Sequence, residues 1–147
     1  MSNRQITAAQ KQFVAERAGH CCEYCFSQLR FSPDPFSVEH IIPVAKGGND
    51  EVNNRALACQ GCNNHKYTST SAVDPVTGNV VDLYNPRRDI WREHFNWSSD
   101  FLYIVGITSI GRAAVEKLNL NRKGVVNLRQ VLRVLNEHPP VPVTELS

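Results

Sequence analysis

The stretch CEYCFSQLRFSPDPFSVEHIIPVAKGGNDEVNNRALACQGCNNHK, residues 22–66, decides how this chain folds. Two Cys-x-x-Cys pairs, Cys22/Cys25 and Cys59/Cys62, bracket a Glu39-His40 dyad and an Asn53-Asn54 pair. Each CxxC turn sets two thiolates about one tetrahedral edge apart, so two such turns supply the four soft ligands of a closed structural zinc site. Two disulfides or four free thiols are the alternatives. Doubled CxxC spacing, with no signal-peptide core at the N-terminus, favours zinc. The insert between Cys25 and Cys59 is longer than a zinc ribbon has, so it must carry structure of its own. Cys21 is the odd thiol, read as a small buried residue or an exposed free thiol.

Within the insert, Val38-Glu39-His40-Ile41-Ile42-Pro43 is a β-propensity run closed by a proline, and Gly47-Gly48 follows as a turn. A neutral imidazole near a strand end can take a proton from water, because its unperturbed pKa of about 6.5 leaves it mostly deprotonated at neutral pH. An isolated His40 would read better as a core histidine satisfied by a carbonyl. Its company of Glu39, Asn54 and the cysteine frame tips the reading toward chemistry. Successive strand residues face opposite ways, so Glu39 and His40 can share one metal site only if the strand ends or bends there.

These residues carry a resemblance. The pattern of CxxC, Glu39-His40, IIP, a Gly-Gly turn, Asn54 five residues before the second knuckle, and Cys59-x-x-Cys62-Asn63-x-x-Lys66 resembles the zinc-bracketed HNH endonucleases. The resemblance implies an α+β fold with a ββα-metal (His-Me finger) core stabilised by the four-cysteine zinc site. It implies His40 as general base, Asn54 as the residue holding the base loop, and Glu39 and Asn63 as ligands of a catalytic divalent ion, Mg²⁺ or another. Glu39 stands where the family more often has Asp. His65 spells the third motif letter literally and is the reserve ligand or a phosphate contact, sharing a helix face with Cys62. Lys66 and Arg55 are the candidate nucleic-acid contacts. The expected activity is hydrolysis of DNA phosphodiester bonds leaving 5′-phosphate ends. The alternative is a non-catalytic zinc module that binds nucleic acid or protein.

Composition suits a single domain over residues 1–147, with the nuclease core at about 20–70 and an extension at about 74–138. Its 41% hydrophobic content is enough for one core, and its net charge of +2 neither requires nor excludes a nucleic-acid partner. No apolar run approaches the ~20 residues of a membrane span, which with the cysteine usage points to a cytoplasmic protein. Ahead of the first knuckle, Thr7 to Ala18 reads as a helix capped by Thr7 and stopped at Gly19; Arg4, Lys11 and Arg17 read as a solvated charged face or phosphate contacts. The strand carrying the base is expected over Phe36 to Ile42. Beyond the second knuckle, the sequence predicts a short strand at Val80 to Tyr84 and a turn capped by Asn85. A hairpin follows from Phe95-Asn96-Trp97 and Phe101 to Val105, with His94 read as structural. Then come a helix from Thr108 and a last one over about Asn121 to Glu137. That last helix is expected to turn Val125, Leu128, Leu132 and Leu135 inward and Arg122, Lys123, Arg129 and Arg133 largely outward. The tail from Pro139 is expected to be loose.

Overall fold

The computed structural model describes residues 6–140, so Arg4 and the tail beyond residue 140 lie outside the described residues. Helices and three two-stranded antiparallel sheets make an α+β fold, which divides into two compact units at residues 6–64 and 65–140.

In the first unit, α1 (Ala8–Arg17) begins at Thr7, whose hydroxyl accepts from Gln10 N while the Gln10 side chain accepts from Thr7 N. This reciprocal box satisfies two amides that the first helical turn leaves without intrahelical partners. Val14 is fully buried, whereas its neighbour Phe13 is half exposed. Arg17 donates to the carbonyls of Val52 and Arg55 at 3.1 and 2.8 Å, which fastens the helix to the approach to the second knuckle. Strands β1 (Ser37–His40) and β2 (Arg55–Ala58) pair antiparallel, with Glu39 opposite Ala56 and His40 opposite Arg55. β1 is shorter than the Phe36 to Ile42 run because the chain bends at Ile41-Ile42, and Pro43, which has no N–H, cannot extend the ladder beyond it. β2 is buried along its whole length. It leads through Cys59 into α2 (Gln60–Lys66), the short helix that carries Cys62 and Asn63 and runs on into the second unit.

In the second unit, β3 (Ser71–Val73) pairs with β4 (Val80–Asp82), and β5 (Phe95–Trp97) with β6 (Ile104–Gly106). β3 was not legible in the sequence: three residues with only Ala72 inward give too little alternation to read. The Asn85 side chain accepts from the amides of Arg87 and Arg88, and one turn of helix, α3 (Trp91–His94), follows. Helix α4 (Ser109–Leu118) is capped by Thr108 and buries Ala114 and Leu118, while α5 spans Lys123–Val134. A Cβ at Gly111 would stand 1.9 Å from His94 O, so only glycine lets α4 approach that backbone. Asp74 is fully buried and receives both Arg112 Nε and Nη2, at 2.9 and 2.8 Å. That paired contact holds its carboxyl well below the usual carboxylate range.

Two expectations for α5 are corrected. Arg129, expected outward, is buried and donates to the carbonyls of Leu102 and Leu120 and to Asn121 Oδ1, with its guanidinium over Trp97. A buried guanidinium is tolerable because its fixed fork finds acceptors that would otherwise go unpaired. Leu135, expected inward, is 62% exposed, since the helix ends at Val134 and the apolar stripe no longer continues through it. Among the described residues no helix is long and apolar enough to cross a membrane.

Candidate active site and metal centre

Cys22, Cys25, Cys59 and Cys62 are all buried, and their sulfurs lie within 4.8 Å of one another. Zinc with four sulfurs at ~2.3 Å has tetrahedral edges of about 3.8 Å, and the Cys25 and Cys59 sulfurs are already 3.6 Å apart. The cluster therefore fits structural zinc. Burial pushes the Cys22 thiol up, while hydrogen bonds from the other sulfurs, Cys22 first, pull Cys25 down. Such crowded thiols accept a shared dication readily, because it stabilises every thiolate at once. Cys21 stands apart. Its sulfur faces Gly19 O at 3.4 Å, and burial pushes its thiol up to about 11.

Glu39 is buried, and its Oε2 accepts from the hydroxyl of Tyr24, the residue inside the first knuckle. Burial, reinforced by the Glu39 charge, pushes the Tyr24 phenol well above its ordinary value, so it remains a donor. Ser37 shares this strand face with Glu39, being two residues away. From α2, Gln60 Nε2 and Asn63 Nδ2 both reach Ser37 Oγ, at 3.2 and 3.4 Å. Asn63 thus leans toward the strand face that bears Glu39, whereas His65 is exposed.

Asn54 is buried and makes three side-chain hydrogen bonds. Its Oδ1 accepts from Ile42 N at 3.0 Å, and its Nδ2 donates to Ile42 O at 2.9 Å and Asn49 O at 2.8 Å. One side chain so pins both ends of the 42–49 loop that follows His40. The pinning requires Gly48, where a Cβ would lie 1.8 Å from Ile42 O and 2.8 Å from Asn54 Nδ2. The neighbouring Asn53 is exposed and takes no such part.

His40 is the last residue of β1, immediately before the bend. Its Nε2 lies 2.8 Å from Asp50 Oδ1. Asp50 in turn sits 3.6 Å from Arg55 Nη2. Arg55, a candidate nucleic-acid contact in the sequence, is buried and donates to Val38 O and Asp50 O, which makes it an internal strut. Lys66, the other expected contact, is 2% exposed, which also takes it off the surface. Tyr24 and Asp50 were missed by the sequence reading. The signal for Asp50 was its place two residues past the Gly-Gly turn, and that for Tyr24 an aromatic inside a knuckle.

Residues 22–69 match the HNH endonuclease family model. The match covers the cysteine cluster, the Asn54 clamp and all of α2, and it leaves residues 70–140 outside the HNH segment. No curated protein and no solved structure matches this chain.

Proposed function

We propose that this chain is a metal-dependent endonuclease that hydrolyses DNA phosphodiester bonds, with its chemistry confined to the HNH segment. The observation that carries the reading is the Asn54 clamp: three hydrogen bonds to the segment leaving a strand-end histidine. A zinc module that only binds has no use for a histidine whose exit loop is fixed this way.

Glu39 and Asn63 would hold the catalytic ion, since a carboxylate and an amide oxygen suit a hard divalent cation such as Mg²⁺ that keeps waters and takes phosphate oxygens. When bound, that ion supplies charge stabilisation to the phosphate and the leaving 3′-oxygen. Glu39, whose Oε2 accepts from the Tyr24 hydroxyl, offers a carboxylate in a nearly dry setting where a counter-charge is worth most. His40 takes the proton of the attacking water onto a ring nitrogen. The water oxygen bonds phosphorus as the P–O bond to the 3′-oxygen breaks, leaving a 5′-phosphate, and the departing 3′-oxygen takes a proton from solvent water. Asn54 holds the 42–49 loop so that the His40 backbone does not drift during this transfer. The four cysteines hold zinc in a purely structural role.

Cleavage of plasmid DNA with Mg²⁺ tests this reading. His40→Ala should lower the rate by about 10²- to 10⁴-fold, the range for a general base, at unchanged zinc content. Asn63→Ala should abolish cleavage in a folded, zinc-loaded protein, while His65→Ala should have a modest effect. Cleavage by His40→Ala at the wild-type rate would leave the non-catalytic zinc module as the better description.

A further inference from the structure

We infer that Asp50 is a positioning residue for His40, fixing the rotation of the imidazole and selecting which of its nitrogens carries the ring proton. This rests on the nuclease reading, in which His40 accepts the proton of the attacking water. The two groups are 2.8 Å apart through His40 Nε2 and Asp50 Oδ1. An ionised carboxylate can only accept, so Nε2 is the donor, and the neutral ring then carries its lone pair on Nδ1. Asp50 thereby decides which nitrogen is chemically able to take a proton.

Asp50 is itself built in. Its backbone carbonyl accepts from Arg55 Nε at 3.4 Å, and its carboxylate lies 3.6 Å from Arg55 Nη2. Arg55 stands directly across the sheet from His40, and its Nη1 donates to Val38 O, so the two ends of the chain Arg55, Asp50, His40 are strand partners. The backbone is fixed as well, because Asn54 holds Asn49 O, one residue before Asp50, and Ile42, two residues after His40. Both partners of the His40 to Asp50 bond therefore hang from one asparagine. The side chains are only 27% and 15% exposed, so water competes weakly for the bond. A base that can swing loses the alignment on which proton transfer depends, and a hydrogen bond to a ring nitrogen removes that freedom.

The test uses the full zinc-loaded chain, duplex DNA and Mg²⁺, with wild type, His40→Ala, Asp50→Ala and Asp50→Asn. Histidine is ¹⁵N-labelled, and the His40 ring N–H signal is assigned by its loss in His40→Ala. In Asp50→Ala we expect kcat to fall about tenfold or more with KM within about twofold, part of what a general base contributes. The His40 Nε2–H signal should vanish into solvent exchange while the backbone spectrum is retained. A kcat within about twofold of wild type overturns the inference, as does a loss confined to KM. If Asp50→Ala leaves Arg55 without its partner and does not fold, Asp50→Asn decides, since its amide oxygen still reaches both neighbours but, uncharged, holds the ring N–H about half as strongly. A lowered kcat and a shifted Nε2–H signal support the assignment; an unchanged rate and signal overturn it. A dead His40→Ala beside an unaffected Asp50→Ala removes only this inference, whereas full activity in His40→Ala removes the nuclease reading along with it.

Discussion

Residues 6–64 and residues 65–140 hold themselves together by different means. The first unit buries few large apolar or aromatic side chains: Tyr24, Val14, Ile41 and Leu57, with alanines and the cysteines making up much of the rest. The second buries Leu83, Tyr84, Phe95, Ile104, Leu118, Leu120 and Leu132, and Tyr84 and Trp91 each pack against Phe95 at 5.1 Å. The polar groups divide the other way. In the second unit, buried Asp74 and Arg129 tie scaffold to scaffold. In the first, Glu39 is itself a group the proposed chemistry uses, Asp50 contacts another, and Asn54 holds the loop that follows it. A four-cysteine cluster fit for a metal cross-link, in place of apolar volume, leaves side chains next to the site available for orientation rather than for filling space.

Breaking the cross-link should show the largest effect. Cys59→Ser should cost the first unit about 10 kcal/mol, the scale of structural zinc binding, and unfold it. Elemental analysis would show the zinc gone, and amide resonances of residues 65–140 should persist; their collapse alongside the first unit would break the comparison. The converse change is Leu118→Ala, which empties a fully buried site in the second unit and should cost about 2–5 kcal/mol in a denaturant titration. Zinc content should stay at wild-type level. The smallest effect sharpens the picture of the first unit: Thr7→Ala removes the cap of α1 and should cost about 1 kcal/mol. Thermal unfolding that moved by several times that amount would mean α1 does more than cover Val14.

What the sequence revealed follows from how local each signal is. The cysteine spacing, the Thr7 cap and the Thr108 helix depend on residues a few positions apart, and each stands where its local pattern puts it. The hairpin of β5 and β6 likewise needed only its alternation and its turn, although its second strand opens at Ile104 rather than at Phe101. Arg129 and Leu135 went the other way, because a stripe of period 3.6 says which face is inward but not where the helix stops or what acceptors wait beneath it. At the site, His40 and Asn54 were visible through their motif spacing. Asp50 was not, since its bond to His40 spans ten positions and depends on β1 and β2 being in register. Arg55 and Lys66 are candidate nucleic-acid contacts in the sequence, and neither the motif spacing nor the residue type announces that both are buried.

The exposed Pro33-Asp34-Pro35 tip and the clamped 42–49 loop lie on the same span between Cys25 and Cys59, yet they answer differently to added length. Closing a longer flexible loop costs only about 0.6 kcal/mol per doubling, so the cross-linked span barely registers a few more residues at the tip. Within 42–49 the separation is measured by one side chain: Asn54 must reach Ile42 and Asn49 together, with Gly48 passing 42 at a distance no other residue permits. Insertions should therefore be tolerated on the approach to the base and destabilising after it. Diversification of this chain can proceed through the first loop without touching the geometry of the second.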